Sequence, residues 1–429
     1  MIEELQRYVV FEPYPFVVDL ARSRGMTLVT VDGDRITDWG GFYASRLLGL
    51  NHPRMSDPDY LRRLHLAANA KTANPDYPTA ECLEYYRLVY SLAPACLRNP
   101  GLEIYAVNSG AEAVENMMKY MINLHQQKLL KKGQIPQVRR FIYFDEAFHG
   151  RTVFALNVTG VTGDPVLTRG FQGFAPGNIQ VPFPAVDTDR AEEENEARTR
   201  RALDTLEDVL ERCADEIAGI VVEPIQGAGG HRIAQKRFFQ GLSTLAHRYG
   251  VHLGFDEVQT AGGQTGTVFA VDQFELPYPP TAVAVAKKFG NGVVFMHHTM
   301  EDRGVLDSTW GGSLADMVRF VQEWKIVTEE RLIEQVPAKA ELLQGELRRL
   351  RDRYRGLVGN VRGLGLYQGF SLKDPGRRGL LVERALSREN LLLLEAGRDS
   401  IRLRPPLDVT PEEIRTLSEK LDRLLASLE

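Results

Sequence analysis

Five places in this 429-residue sequence set chemistry-bearing side chains directly behind a short apolar run. Lys287 follows Thr281-Ala-Val-Ala-Val-Ala286, six small apolar or neutral residues. A lysine emerging from such a run is desolvated, which lowers its pKa and makes its amine a nucleophile able to condense with an aldehyde. Asp256 closes the run Leu253-Gly-Phe255, and Glu223 closes Ile220-Val-Val222. A carboxylate at the end of an apolar strand requires a partner, and a protonated ring nitrogen would satisfy Asp256. Ser109, Gly110 and Ala111 follow Tyr105-Ala-Val107 and open a helical pattern, so that backbone N–H groups at a helix start can approach a phosphate. Phe148, His149 and Arg151 cluster behind Phe141-Ile-Tyr-Phe144. Phe148 could stack on a planar ligand and Arg151 could hold a carboxylate. Each piece alone also has a plain reading: a tight strand–helix turn, a core phenylalanine, a surface lysine.

The elements that must position these residues follow from the pattern. The apolar runs Glu103–Val107, Arg140–Phe144, Ile217–Val222, Val251–Phe255 and Thr281–Ala286 do not alternate, which suits strands buried on both faces. Helical patterns lie between them at Ala111–Leu130, Arg198–Ala214 and Lys236–Arg248. Strands alternating with helices predict an α/β fold with a mostly parallel sheet covered by helices. In such a sheet, ligands bind beyond the carboxyl ends of the strands, where the five clusters stand. Beyond Gly312 the pattern predicts a smaller α+β domain. It has long helix over Leu314–Arg355 with a break near Pro337, strands at Gly365–Leu372 and Ser400–Arg404, and a last helix over Pro411–Leu428. Thr410, Pro411 and Glu413 form a capping box there. The expected organisation is residues 1–45 as an N-terminal segment joining the small domain, with a hairpin around Asp32-Gly-Asp34, residues 46–312 as the large domain and residues 313–429 as the small one.

Together the clusters ask for one ligand with a phosphate, a planar ring carrying a protonated nitrogen, and an aldehyde. Pyridoxal 5′-phosphate meets each requirement, with Asp256 keeping the ring nitrogen protonated. Composition sets the remaining bounds. The net charge of −5 does not indicate a nucleic-acid surface, and no run approaches a membrane span. Cys82, Cys96 and Cys213 are odd in number and scattered, so neither a disulfide framework nor a metal site is expected, and a cytoplasmic setting is.

The spacing of Ser109-Gly-Ala-Glu-Ala113, Ala147-Phe-His-Gly-Arg-Thr152, Val222-Glu-Pro-Ile-Gln-Gly227, Phe255-Asp-Glu-Val-Gln-Thr260, Val285-Ala-Lys-Lys288 and Ser308-Thr-Trp-Gly-Gly312 resembles the class III (ω-) aminotransferases, fold-type I enzymes dependent on pyridoxal phosphate. The resemblance runs from about Asp19 to Val409 and is strongest to the L-lysine 6-aminotransferase family. It implies Lys287 as the Schiff-base lysine and proton carrier, and Asp256 as partner of the ring nitrogen. Gln259 would bond the ring's phenolic oxygen, with Val258 and Phe148 on the two ring faces. Ser109, Gly110 and Ala111 would hold the phosphate, completed by Thr309 from the second subunit of a homodimer, and Glu223 would stand behind them. Arg151 and Arg404 would bind substrate carboxylates. The implied reaction is ping-pong transfer of the terminal amino group of L-lysine to 2-oxoglutarate, or of ornithine, 4-aminobutyrate, another diamine or an amine in the alternative. One departure stands out: Ala228 occupies the position where these relatives usually carry a glutamate that pairs with the C-terminal arginine. A nicotinamide oxidoreductase, suggested only by Gly363-Leu-Gly365, a mutase or epimerase of the same fold, and a non-catalytic interaction module are the competing readings.

Overall fold

A computed structural model describes residues 1–10, 13–134, 138–162 and 177–429. Its largest sheet has seven strands: β1 (Glu103–Val107), β2 (Arg140–Phe144), β3 (Ile179–Val181), β4 (Ile217–Val222), β5 (Leu253–Asp256), β6 (Ala282–Val285) and β7 (Gly292–Met296). The spatial order is β1-β7-β6-β5-β4-β2-β3, with β7 antiparallel to both neighbours and every other pairing parallel. The five strands expected from apolar runs are all present. The two not foreseen, β3 and β7, are a three-residue edge strand and the return strand Gly-Val-Val-Phe-Met directly after the lysine pair.

Every residue of β4, β5 and β6 is buried, which is why these runs do not alternate. One face is covered by α1 (Gly110–Lys131), which lays Val114, Met117, Met118 and Met121 on the sheet. Gly219 and Gly254 make that approach possible. A Cβ on either would stand 2.8 Å from the sulfur of Met121 or Met117. Burial of each such methionine contributes roughly 1.5–3 kcal/mol. The other face carries an aromatic cluster. Phe238 and Phe239 of α3 (Lys236–Tyr249) meet Phe144, Phe183 and Phe274, with Phe239 stacked on Phe274 at 4.0 Å between ring centroids. The acidic run Glu192–Glu194 opens α2 (Glu192–Cys213), where negative charge complements the helix N-terminus.

The C-terminal part builds a second, antiparallel sheet from β8 (Val358–Leu364), β9 (Tyr367–Leu372), β10 (Leu394–Ala396) and β11 (Ser400–Leu403), in the order β8-β9-β11-β10. The Gly-Leu-Gly segment is the β8–β9 hairpin: Gly365 turns with φ of 58°, and a Cβ there would strike the Gln264 carbonyl at 2.3 Å. The long helix predicted after Gly312 is two, α4 (Leu314–Glu329) and α5 (Val336–Arg353), with the break just before Pro337. The capping box of the last helix, α7 (Pro411–Ala426), forms as predicted, following α6 (Gly376–Glu389). The N-terminal hairpin, Thr27–Val29 with Arg35–Asp38, pairs in parallel with Leu391–Leu392, tying the start of the chain to its end. Among the described residues no helix is long and apolar enough to cross a membrane.

Candidate active site

The carboxyl ends of β1, β2, β4, β5 and β6 meet around a cavity of about 200 Å³. Its lining includes Gly110, Ala111, Phe148, His149, Gly150, Glu223, Ala228, Asp256, Val258, Gln259 and Lys287. Eight of the ten cofactor-site residues expected from sequence therefore line it: Gly110, Ala111, Phe148, Glu223, Asp256, Val258, Gln259 and Lys287. Ser109 and Thr309 do not.

Each position has a local cause. Ser109 is the N-cap of α1, and its hydroxyl accepts from the Glu112 amide at 3.2 Å, so the serine itself stays outside while the next two residues face the cavity. Gly110 has no room for a side chain: a Cβ would lie 2.7 Å from Val258 Cγ1. Gly150 likewise lets the loop after β2 cross Ala111, with a built Cβ 2.6 Å from that of Ala111. The backbone of a helix start is thus exposed to the cavity, a cradle suited to an anion.

Asp256 ends β5 buried and paired inside the protein. His149 Nδ1 donates to its Oδ2 at 2.7 Å, and the Val258 amide donates to Oδ1 at 3.0 Å. Burial works against the His149 imidazolium, but the hydrogen bond and charge of Asp256, aided by Glu223, leave the histidine pKa raised. The sequence reading gave His149 no role. The sequence shows a histidine behind a strand, but its partner Asp256 lies two strands away in the sheet and 107 residues on. Glu223 accepts from the Phe148 amide at 2.9 Å, and burial raises its pKa above the usual carboxylate range. It therefore braces the Phe148 loop.

Lys287 follows β6 with φ of 51°, and its Nζ donates to the Tyr43 carbonyl at 3.0 Å. Burial, then the positive charge of Arg402, brings its pKa down to about 8 against the pull of Asp256. The amine is consequently a partly neutral nucleophile near neutral pH.

The two arginines expected to hold carboxylates stand elsewhere. Arg151 is exposed and outside the cavity lining. Arg404 is buried with its donors engaged internally: Nη1 to the Leu403 carbonyl at 3.0 Å, Nη2 to His231 Nδ1 at 2.8 Å, and the group stacked 4.6 Å from the Tyr367 ring centroid. The partner lacking in the sequence reading of Arg404 is this shell of neutral groups. Arg402, two residues earlier on β11, differs. It is buried, its Nε has no hydrogen-bond partner among the described residues, and Tyr43, Glu223 and Tyr14 act electrostatically on its charge. A single residue, Leu403, separates Arg402 on β11 from Arg404 just beyond its end, yet the two guanidinium groups have different surroundings. Thr309 is exposed on the loop that Asn74 holds through the Trp310 and Gly312 carbonyls, both at 2.9 Å. Ala228 lines the cavity, so no carboxylate stands at that point.

A family match settles the lineage. The description "Aminotransferase class-III" fits residues 10–425. The chain belongs to the class-III aminotransferases. Among its curated relatives, an L-lysine-epsilon aminotransferase from Amycolatopsis lactamdurans is 33% identical, covering 99% of this chain and 95% of the relative. An acetylornithine aminotransferase from Agrobacterium fabrum is 31% identical over 95% and 93% of the two chains. Among solved structures, the lysine aminotransferase of M. tuberculosis superposes with a TM-score of 0.92 at 30% identity, covering all of this chain and 98% of the other. As a class-III aminotransferase of fold-type I, this protein is a transaminase, and its cofactor is pyridoxal 5′-phosphate. The residues fit that group: a cradle at a helix start, a buried carboxylate held at both oxygens, an apolar pair in Phe148 and Val258, and a lysine of lowered pKa converge on one cavity.

Proposed function

We propose that this transaminase moves the terminal amino group of L-lysine to 2-oxoglutarate, giving an aldehyde and L-glutamate in two alternating half-reactions. The observation that carries the reading is the convergence of Lys287, Asp256, Gln259 and the Gly110–Ala111 helix start on one cavity. Relatives named for the lysine ε-amino group support the donor.

Bound in the cavity, pyridoxal 5′-phosphate supplies an aldehyde and a conjugated ring that withdraws electrons from the substrate carbon. The protein's own groups do the rest. Asp256, braced by His149, presents a fixed negative charge to the ring nitrogen. Phe148 and Val258 enclose the ring, Gln259 offers its amide to the phenolic oxygen, and Gly110 and Ala111 present backbone N–H groups to the phosphate, with Ser109 fixing the helix start. Glu223 holds the Phe148 loop. Lys287 Nζ, neutral in part because Arg402 and burial disfavour its charge, takes the proton from the carbon bearing the amino group and returns it at the neighbouring position. Arg402 is the group in this reading that receives a substrate carboxylate, because its Nε has no hydrogen-bond partner among the described residues, whereas Arg404 is engaged by Leu403 and His231.

The same reading takes residues 46–312 as the large domain, with 1–45 and 313–429 forming the smaller one. It also assigns Thr309 to the cavity of a second copy in a homodimer, since that residue is exposed and stands outside its own chain's cavity. A cytoplasmic setting accords with three unpaired cysteines. A second donor class, ornithine, 4-aminobutyrate, another diamine or an amine, is favoured by one observation: Ala228 leaves the cavity without the gating carboxylate. Adding L-lysine, L-ornithine, 4-aminobutyrate or a simple amine alone to the holoenzyme separates the two. Lysine should discharge the visible absorption of the bound cofactor at the lowest concentration. If another donor does so and lysine does not, the lysine assignment fails.

A further inference from the structure

Behind the cavity lies a layer of buried basic side chains with no carboxylate among their hydrogen-bond partners in the described residues. Lys288 is 1% exposed, and its Nζ donates to the Gln259 carbonyl and the Tyr367 hydroxyl, each at 2.6 Å. Arg404, also 1% exposed, stacks on the ring of that tyrosine. Its Nε and Nη2 both point to Gln259 Oε1 at 3.4 Å. One residue, Gln259, is thus held at its main chain by one of them and at its side chain by the other.

Burying the Arg404 guanidinium without an acid is costly, and burial with the neighbouring Lys287 and Arg404 charges disfavours the charged form of Lys288. The chemistry of the donors says what the arrangement specifies. A guanidinium only donates, so the Gln259 atom facing it must be the carbonyl oxygen, which fixes the orientation of the amide. Nε2 is left on the other side, where the described residues offer it no acceptor, and Gln259 lines the cavity. Gly227 confirms how tightly the amide is placed: a Cβ there would lie 1.9 Å from Oε1. His231 completes the clamp. It accepts from Arg404 Nη2 through Nδ1, and burial with the Arg404 charge keeps it neutral, so it can accept. Gly369 gives the imidazole its room, since a Cβ would stand 2.8 Å from His231 Cδ2.

We propose that Arg404 is a positioning residue whose task, shared with Lys288 and His231, is to lock the Gln259 amide with its N–H2 group turned into the cavity, toward an anionic oxygen of the bound cofactor. The inference rests on the cavity being the cofactor site. It gives Arg404 a role other than carboxylate recognition and gives the second lysine of the pair a reason to be there.

The test is a variant cycle on the holoenzyme and on cofactor-free protein titrated with pyridoxal 5′-phosphate, reading the dissociation constant and the wavelength of the visible absorption band. Arg404→Met removes the donors, and Gly227→Ala displaces Oε1 from the opposite side. Each should weaken binding about tenfold, as expected for one misplaced charge-assisted hydrogen bond, and shift the band in the same direction as Gln259→Leu. Combined with Gln259→Leu, either should add less than about twofold, because the effect passes through that side chain. Arg404→Lys keeps a buried charge but cannot span Gln259 and His231. It should show the band shift with its melting temperature retained, which keeps the test alive if Arg404→Met fails to fold. Effects of Arg404 and Gln259 variants that multiply would overturn the positioning role. A Gln259→Leu enzyme with unchanged affinity and unchanged band would overturn the cofactor reading of the cavity instead, however Arg404 behaves.

Discussion

Lys287 and Lys288 leave the same strand one peptide apart and enter opposite surroundings. Lys287 reaches a 200 Å³ cavity with a carboxylate in it. Lys288 enters a closed layer of Gln259, Tyr367 and Arg404. The left-handed φ of 51° at Lys287 accompanies this divergence and costs about 1–2 kcal/mol for a residue with a Cβ. Both amines have lowered pKa values for the same leading reason, burial. A perturbed lysine is therefore not by itself a reactive one. What separates the two is access: one amine opens on space for a ligand and the other is spent on the protein's own acceptors.

The sharpest way to break this contrast is to remove each amine. Lys287→Ala should lower the transamination rate on the order of 10⁴-fold or more at saturating cofactor. A steady-state rate within tenfold of wild type would erase the distinction. Asp256→Asn comes next, with a loss of about 10³-fold in kcat, since a neutral amide cannot hold a proton on a ring nitrogen. Lys288→Ala should act chiefly on folding, with a smaller loss of cofactor affinity through Gln259. It strips donors from a buried carbonyl and a buried hydroxyl, and should cost about 2–4 kcal/mol in a denaturant titration. His149→Leu removes one of two donors to Asp256 and should reduce kcat about 30-fold, the equivalent of about 2 kcal/mol.

The smallest effect is a matter of pH. The folded Lys287 amine titrates at about 8, below the ordinary lysine value of about 10.4, so the folded chain binds fewer protons between those limits. Stability contributed by this site is then lowest below pH 8 and recovers as the pH rises toward the unfolded value. Arg402 and Arg404 push in that direction, and Asp256 and Glu223 oppose it. In cofactor-free protein, Lys287→Met should raise the melting temperature at pH 7 and lose that advantage by pH 10. The opposite trend would mean that the cavity does not disfavour the charge.

Much of this was legible from residues alone, and the reason is local. Strands buried on both faces announce themselves as unbroken apolar runs, and the polar residue ending each run must sit at a sheet edge. Lys287, Asp256 and Glu223 could be found that way. The α7 capping box was equally local. What stayed hidden depends on partners distant in sequence. His149 and Asp256 are 107 residues apart, and nothing near either names the other. The internal partners of Arg404, His231 and Gln259, are likewise distant in sequence, and no spacing rule reports them. β7 was missed because a return strand two residues after a turn gives no helix to frame it.

The pairing of Thr37 with Leu391 has a consequence for the order in which this enzyme can come into being. The hairpin leaves the ribosome before its parallel partner, which is made roughly 350 residues later. At ~5–20 residues per second that is a wait of roughly 20–70 s. The Tyr43 carbonyl that receives the Lys287 amine lies just beyond this hairpin, and the adjoining Gly41 packs against the backbone of Arg404. The contact that holds the Lys287 amine therefore joins segments of very high sequence separation, the kind of pairing that forms slowly in folding.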